Sequence, residues 1–573
     1  MTGMHGHEPR QYETFPCYPA IGGSVTSGWA AAVGRWPKGP AVLAVDGPVV
    51  LDWAAVLRGL TAAFTDLDIP VEQVDMRQEV APWVDIVKRT ASEGLLDDPD
   101  FDKLGQGCLA DVFDSIPDRE APPDGVLLVV GPGSALVAHD VLWYADLPKR
   151  YAEAAVTSGT GRNLGQRPGD GAATTKRLFY IDWPLIDRHR DAIGRQIDRC
   201  LDMQDAEQPA SIDGETLRRT LADLVTQPFR TRPTFNTTSW GGHWAQRELG
   251  INREDPNTAL GYELIAPESG VLIGEPGSSV EVPFQLIVAH HPVDVLGEAV
   301  HARFGNSFPI RFDYLDTMGG GNLSVHCHPQ PDYMRDVFGW PYAQHESYYV
   351  MVGGDDRNIY LGLRDGVDLE AFHEKASRAE RLGVEFDIEE YVQTFPAEPH
   401  QLFVVPAGTP HGSGEGNVIL EVSATPYLYS LRLYDWLRRD AQDKQRPVHV
   451  EHAFRNLTTN RRGSQVTGDL VLEPVTVRED DGWREERLGG GGELFFDVRR
   501  MVLEGQTPAR DNTAGRFHIL NVVEGDGVVI ETAKGRTHHL AYAETIVVPA
   551  ATGTYSMRGT GSGLTRVVKA LVP

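Results

Sequence analysis

The sequence predicts a multidomain fold, an α/β domain followed by all-β barrels, and three observations carry that prediction. The first ~230 residues alternate apolar strand-like runs with longer amphipathic segments. From about Pro233, short apolar runs punctuated by Gly, Pro and Asn take over. A chain of 573 residues also exceeds what one hydrophobic core can organise, and points to about three or four domains. The expected boundaries are 1–230 for the α/β domain, 231–440 for a first barrel with a helical insertion at 368–395, and 441–573 for a second β domain.

In the first domain, AVLAVDG (41–47) and GVLLVVGPG (125–133) read as buried strands ending in glycine turns. LWYADLP (142–148) and LFYIDWP (178–184) are two further candidate strands, each closed by an acid and a proline. WAAVLRGLTAAF (53–64) and WPLIDRHRDAIGRQIDRCLDM (183–203) read as helices. In the first barrel the strand candidates are YELIAP, VEVPFQLIV, NLSVHCH, SYYVMVGG, NIYLGL, HQLFVVPAG and NVILEVS. The insertion DLEAFHEKASRAERLGVEFDIEEYVQTF has helical spacing and a polar outer face. From ~445 onward the chain reads as all β, with Gly525 and Gly527 suited to a hairpin turn.

Bulk composition narrows the function. The hydrophobic share of 41% and charged share of 23% suit a folded soluble protein rather than a disordered one. With 53 Lys and Arg against 81 acids, the chain lacks the cationic balance that nucleic acid requires, though a local pocket for a small anion remains compatible. Cys17, Cys108, Cys200 and Cys327 show no CxxC spacing, so reduced thiols are expected. No apolar run approaches the ~20 residues of a membrane helix, and the N-terminus has no leader-like apolar stretch, so the expectation is a cytoplasmic protein without a membrane partner.

The chemistry concentrates in one β-rich stretch. NLSVHCHP sets His326 and His328 two residues apart, and a strand points i and i+2 to the same face, so both imidazoles can reach one ion while Cys327 points away as a small buried hydrophobe. QHESYYVMV places Glu346 at the start of another strand, and VVPAGTPHG supplies His411 after a tight turn. Singly, such residues are more commonly structural. In this order they form a donor set for a divalent metal, best zinc, with iron, manganese or nickel also compatible.

HxH followed by Glu, then PAGTPH, resemble the two motifs of cupin (double-stranded β-helix) barrels. The surroundings narrow the resemblance to class I phosphomannose isomerases. TTSWGGHW, GYELIAPESG, FPIRFDYLDTMGGGNLSVHCHP and LEVSATPYLYSLRLYDWLR are similar, in order, to segments of that family across about 233–440. The resemblance implies metal ligands at His326, His328, Glu346 and His411, the first a histidine where the family has glutamine. It implies catalytic roles for Glu421 and Arg432. A family lysine before the metal-binding Glu is replaced by Gln344, and the family's serine–aspartate pair is missing, so a changed or unphosphorylated sugar is the alternative to mannose 6-phosphate. Arg311 and Arg335 are the basic residues that could compensate. The second barrel lacks both motifs, so His518, His538 and His539 are expected to be structural or exposed.

The N-terminal domain resembles nucleotide kinases of the uridine kinase or phosphoribulokinase sort, with VLAVDGPVVLDWAAVL where such proteins have strand, phosphate loop and helix. The glycine-rich turn, the Lys and the Ser/Thr are absent, which implies a degenerate P-loop-like domain unable to hold ATP phosphates. Lys149, Arg150 and Arg162 remain as possible anion contacts. Two functions follow. One is an aldose–ketose isomerase working through a cis-enediol, with Glu421 moving the carbon proton and Arg432 stabilising charge. The other is a non-catalytic carbohydrate sensor, in which Glu421 merely pairs with Arg432 and Arg432 anchors the barrel. Either takes a small sugar or sugar phosphate.

Overall fold

The computed structural model describes residues 11–34, 36, 39–426, 428–440 and 443–573; the opening ten residues, read above for a leader, lie outside them. The α/β domain is built on a seven-stranded sheet. Ala41–Asp46 lies at its centre, parallel to Val126–Val130 on one side and Val141–Asp146 on the other. Val71–Asp75 and Arg199–Asp202 extend the parallel set outward, and Ala210–Asp213 and Thr26–Ser27 close it antiparallel. AVLAVD and VLLVV are buried along their whole length, because helices cover both faces of a parallel sheet. Helix Trp53–Thr65 forms as its apolar spacing predicts, and Asp52 caps it by accepting the Ala55 N–H at 2.9 Å.

That cap decides what the first strand–helix turn can do. The Asp52 carboxylate occupies the helix N-terminus that would otherwise attract a phosphate. The nearby Asp46 carboxylate is saturated by the N–H groups of Gly47, Gly133 and Ala135 and by His189. Lys149 and Arg150 do not serve as free anion contacts: Lys149 pairs with Asp187 at 2.6 Å, and Arg150 with Glu281 at 2.9 Å. Arg162 makes its described bond to the Gly171 carbonyl on the domain's surface.

Several element readings are corrected here. LFYIDWP is no strand; Leu178–Asp182 is a π-helical turn that continues the helical start capped by Thr174 and runs into helix Trp183–Ile193. The helix stops at Ile193, and RCLD, read as its continuation, is the strand Arg199–Asp202, whose alternative partner is the sheet edge. FQLIV leaves the strand Ser278–Pro283 at its proline and becomes helix Phe284–His290. The insertion is helical over Leu369–Leu382, but its tail is the strand Val392–Ala397. After 445 the chain first forms helices Val450–Asn456 and Ser464–Leu470, whose Val450, Ala453, Val466 and Leu470 pack on the first barrel before β structure resumes.

The first barrel is two sheets face to face. Six strands run Leu402–Val405, Glu346–Val352, Val418–Ala424, Ile310–Asp316, Leu260–Leu264, Thr234–Asn236; five run Val392–Ala397, Gly354–Leu363, His411–Ser413, Val325–Cys327, Leu431–Tyr434. The second barrel repeats the design with sheets of six and four strands. Gly525 and Gly527 carry the chain from strand His518–Glu524 in one sheet to Gly527–Thr532 in the other, so they turn a corner between sheets and close no hairpin. One continuous apolar core runs from Cys200 and Leu221 of the α/β domain through Phe312 and Leu420 to Phe496 and Val568 of the second barrel. Among the described residues, no helix is long and apolar enough to cross a membrane.

Where the first barrel has imidazoles, the second carries a buried ion network, with the Lys569 ammonium held by Glu485 and Asp511 at 2.5 and 2.7 Å. His518 hydrogen-bonds Tyr555 beside it at 2.8 Å. Burial and the neighbouring Lys569 push the His518 imidazole down to about 3. It is therefore neutral in the folded protein, while the unfolded chain takes up its proton below about pH 6.5, so His518 costs stability as pH falls from there toward 3. His518→Gln is expected to remove up to about 3 kcal/mol of the wild-type loss between pH 6.5 and 4, read as the difference in urea unfolding free energy. Parallel pH profiles for the two proteins would contradict this.

Candidate metal centre

Register places the polar side chains before any contact is considered. On the six-stranded sheet, Arg311 lies opposite Ser423, and Ser423 opposite Glu346. One step along the same face, Tyr262, Asp313, Glu421 and Tyr348 form a second row. These positions alternate with apolar ones in IRFDYLD, ESYYVMV and VILEVSA, so a sheet whose inner face should be apolar instead carries two polar ladders. On the facing sheet, His326 is the partner of His411 on one side and of Arg432 on the other.

His326, His328, Glu346 and His411 bring one donor atom each to within 4.8 Å of one another, all buried. The imidazoles are oriented from behind. His326 Nδ1 meets the Ser324 carbonyl at 2.9 Å, His411 Nδ1 the Thr409 carbonyl at 2.8 Å, and His328 Nδ1 the Tyr429 carbonyl at 3.3 Å. A carbonyl only accepts, so each Nδ1 carries a proton and each Nε2 faces inward. Burial and the neighbouring imidazoles lower His326 well below its ordinary range; burial also lowers His328. His411 Nε2 lies 3.0 Å and His328 Nε2 2.9 Å from the Glu346 carboxylate. The His328 nitrogen is nevertheless not aligned for a hydrogen bond with it. Three ring nitrogens and a carboxylate brought together in this way form a donor set that suits a divalent metal.

Around the four, other groups fix Glu346 and Glu421. Gln344 donates to Glu346 Oε1 at 2.6 Å, and Arg311 reaches the same oxygen at 3.3 Å. Arg311 also pairs closely with Glu421 and donates to Ser423 Oγ at 2.6 Å, while Ser423 donates to Glu421 at 2.8 Å. Burial, reinforced by Asp313 and Glu346, raises the Glu421 carboxyl well above the usual range against the pull of Arg311. Burial likewise raises Asp313 to about 6. The Tyr348 hydroxyl is buried in the same row without a hydrogen-bond partner.

Of the two residues expected to be catalytic, Glu421 thus stands in the polar ladder beside Glu346. Arg432 lies opposite His326 on the edge strand; its guanidinium donates to the Pro447 carbonyl, and its charged neighbours are Arg446, Asp435 and Asp100. Arg311 is the cation at the centre, whereas Arg335 is exposed and paired with Asp332 and Asp336. Asp313, Tyr348 and Ser423 escaped sequence reading, although a polar residue at every second position of an otherwise apolar strand marks them. Cys327 faces the outer core, and His518 is buried without joining a donor cluster among the described residues.

One cation holding three carboxylates is a buried network that breaks badly. Arg311→Met is expected to cost about 3–5 kcal/mol at pH 7, since it removes the buried cation shared by Glu421, Glu346 and Asp313. Urea denaturation showing a loss below about 1 kcal/mol would mean the carboxylates are neutral or solvated.

Comparison with known proteins gives the two parts of the chain different relatives. Residues 28–226 match a family described as a domain of unknown function, DUF8485. The mannose-6-phosphate isomerase of Streptococcus mutans is 26% identical over 258 residues, spanning 44% of this chain and 73% of that protein. Mannose-6-phosphate isomerase ManA of Bacillus subtilis is 26% identical over 316 residues, spanning 54% and 89%. The crystal structure of the mannose 6-phosphate isomerase from Bacillus subtilis aligns with 60% of this chain and 99% of its own, at 19% identity and a TM-score of 0.48. In its barrels, this chain is similar to mannose-6-phosphate isomerases; in its α/β domain, to a family of undescribed function.

Proposed function

We propose that the chain is a metal-dependent aldose–ketose isomerase of the mannose-6-phosphate isomerase type. The observation that carries this reading is the convergence of three inward imidazole nitrogens and Glu346, with the buried carboxyl of Glu421 beside them. His326, His328, Glu346 and His411 would hold a divalent ion, zinc being the best fit to N₃O donors. When bound, that ion supplies Lewis-acid polarisation of the sugar oxygens. The relatives named for mannose-6-phosphate isomerisation support the reaction class.

The rest of the work falls to the chain's own groups. Moving a proton between C1 and C2 needs one side chain that accepts and returns it. Glu421 is the candidate for that role: it is a buried carboxyl beside the donor set, raised by burial and by Asp313 and Glu346 against the pull of Arg311. Ser423 and Arg311 hold the carboxylate in one orientation. Tyr348 offers a buried hydroxyl to the same ladder, and Arg432 stands across the strand from His326. The donors are buried, so charges here act in a medium of lower dielectric than water.

The substrate follows from the same ledger of charges. Arg311 is committed to Glu346, Glu421 and Asp313, which leaves it no charge for a substrate phosphate. Gln344 supplies no cation either. The site therefore suits a free or differently substituted sugar at least as well as mannose 6-phosphate.

Purified protein is expected to retain about one divalent ion per chain, and His411→Ala to lose it together with all isomerase activity, since no neighbour replaces that donor. Mass-spectrometric metal analysis finding full occupancy in the variant would reject the assignment. For substrate choice, kcat/KM for mannose 6-phosphate is expected to exceed that for free mannose by well under a hundredfold, the margin about 3 kcal/mol of phosphate contact would give. A hundredfold or larger preference would restore the phosphorylated sugar as substrate. If metal is retained but solvent deuterium enters neither C1 nor C2 of any aldose tested, the sensor reading replaces the enzyme.

A further inference from the structure

In the α/β domain the chain runs from the central strand Ala41–Asp46 to the edge strand Val71–Asp75, returns to Val126–Val130 between them, and crosses to Val141–Asp146 on the other side. Connections that leave a parallel sheet in opposite directions open a crevice outside the carboxyl ends of its strands, where such sheets hold their ligands. Here that crevice is a cavity of about 760 Å³, within the range of small-molecule sites. All four strand ends contribute to it: Leu51 and Asp52 follow the first, Arg77 the second, Pro132 the third and Leu147 the fourth. No residue of the metal centre lines it, so it is a separate site.

Much of the remaining wall is the segment 160–168, which a buried carboxylate fixes in place. Asp182, wholly buried, accepts the Asn163 side-chain amide at 2.9 Å and the Leu164 N–H at 3.0 Å, and Arg177 lies 3.3 Å from its other oxygen. Asn163 in turn accepts the Thr174 N–H at 2.8 Å. Gly165 follows at φ +79°, so close to Ile86 that a Cβ would meet its Cδ1 at 2.4 Å. The glycine-rich run TSGTGRNLGQRPGDG is thus held at its centre, and Arg162 and Arg167 stand on either side of that anchor, both lining the cavity.

Charge decides what fits. In a chain of net charge −28, this wall carries Arg77, Arg162 and Arg167 against one carboxylate, Asp52. Arg77 is matched by Asp75 at 2.7 Å, and Asp52 is held by the helix it caps. The other two guanidinia meet only carbonyls, Arg162 that of Gly171 at 3.2 Å and Arg167 those of Gln78 and Val80 at 3.1 and 2.7 Å. The Asp170 carboxylate accepts the Arg167 backbone N–H, and no carboxylate pairs with either guanidinium among the described residues. Carbonyls orient a guanidinium without neutralising it, so two positive charges remain on a wall that also presents Val80, Phe113, Leu147 and Leu164. Two cations match a phosphate monoester, which carries about −2 at pH 7, and they hold its oxygens in bidentate fashion. A monocarboxylate would leave one cation unmatched. A triphosphate exceeds them, and Asp52 closes the helix N-terminus against it.

We propose that this cavity is a binding site for a small phosphate monoester, with the phosphate between Arg162 and Arg167 and the organic body on the apolar wall. The alcohol of that ester is a sugar or a nucleoside, and the measurement below separates the two. The proposal does not depend on the isomerase reading of the barrel.

The test is calorimetric titration of the full-length protein with mannose 6-phosphate, adenosine 5′-monophosphate, their unphosphorylated parents, inorganic phosphate and ATP. At least one monoester is expected to bind, about tenfold or more tighter than its parent and than inorganic phosphate, and the one that binds identifies the body. Arg162→Ala and Arg167→Ala should each weaken that binding about tenfold or more, with Arg162→Lys keeping part of it. Ala155→Trp, which fills the cavity from its helical side and removes no side-chain hydrogen bond, should abolish binding. His411→Ala, which breaks the metal centre, should leave it unchanged. No monoester binding by the wild type, equal affinity for inorganic phosphate, tighter binding of ATP, or an affinity that neither arginine variant moves would overturn the proposal. Binding lost in His411→Ala but kept in Ala155→Trp would place the ester in the barrel and overturn it as well.

Discussion

Everything in the barrel is arranged around one convergence: three imidazoles and a carboxylate, all buried, with a donor atom of each within 4.8 Å of the others. The fold holds this convergence from behind, by seating each Nδ1 proton on a backbone carbonyl of Ser324, Thr409 or Tyr429. Those carbonyls belong to strand ends and turns whose positions are set by the two sheets, so the donor set is only as rigid as the barrel that surrounds it. Glu346 in turn is steered by Gln344 and Arg311, and Arg311 draws Glu421 and Asp313 into the same network. Binding free energy gained by a cation among the donors is stability gained by the whole barrel.

The two barrels solve the burial of polar groups in different ways. The first leaves its donors unsatisfied by protein. The second satisfies its own, with Lys569 between Glu485 and Asp511 and with Arg478 reaching both acids. A network neutralised internally stabilises and specifies a structure but has nothing left over for a ligand. The contrast shows how a similar pair of packed sheets can carry a convergent donor cluster in one case and an internally paired ion network in the other.

Much of this was legible in the residues. His326 and His328 share a face because a strand alternates, and His411 follows a proline–glycine turn that returns the chain to the same face. The strands named in 41–47, 125–133 and 418–424 are uninterrupted apolar runs bounded by Gly or Pro, and they form where expected. What was hidden has physical causes. LFYIDWP has the composition of a buried strand, yet it continues a helical start, and tertiary context decides between helix and strand for so short an apolar run. RCLD was absorbed into a helical pattern because four residues are too few to show a period. Arg311, Asp313, Glu421 and Ser423 became a cluster only through register, which pairs residues far apart in sequence and cannot be read from either strand alone. The cavity outside the parallel strands gathers four strand ends and the segment 160–168, which no local pattern announces.

The short strand Cys17–Tyr18 pairs parallel with Gly270–Glu275, and Tyr12 bonds to Glu263, so the opening of the chain is stitched into the middle domain rather than its own. During synthesis these residues leave the ribosome long before their partner strand exists. A strand whose partner lies so far along the chain cannot pair until that partner has been made, so this contact ties the α/β domain to completion of the barrel.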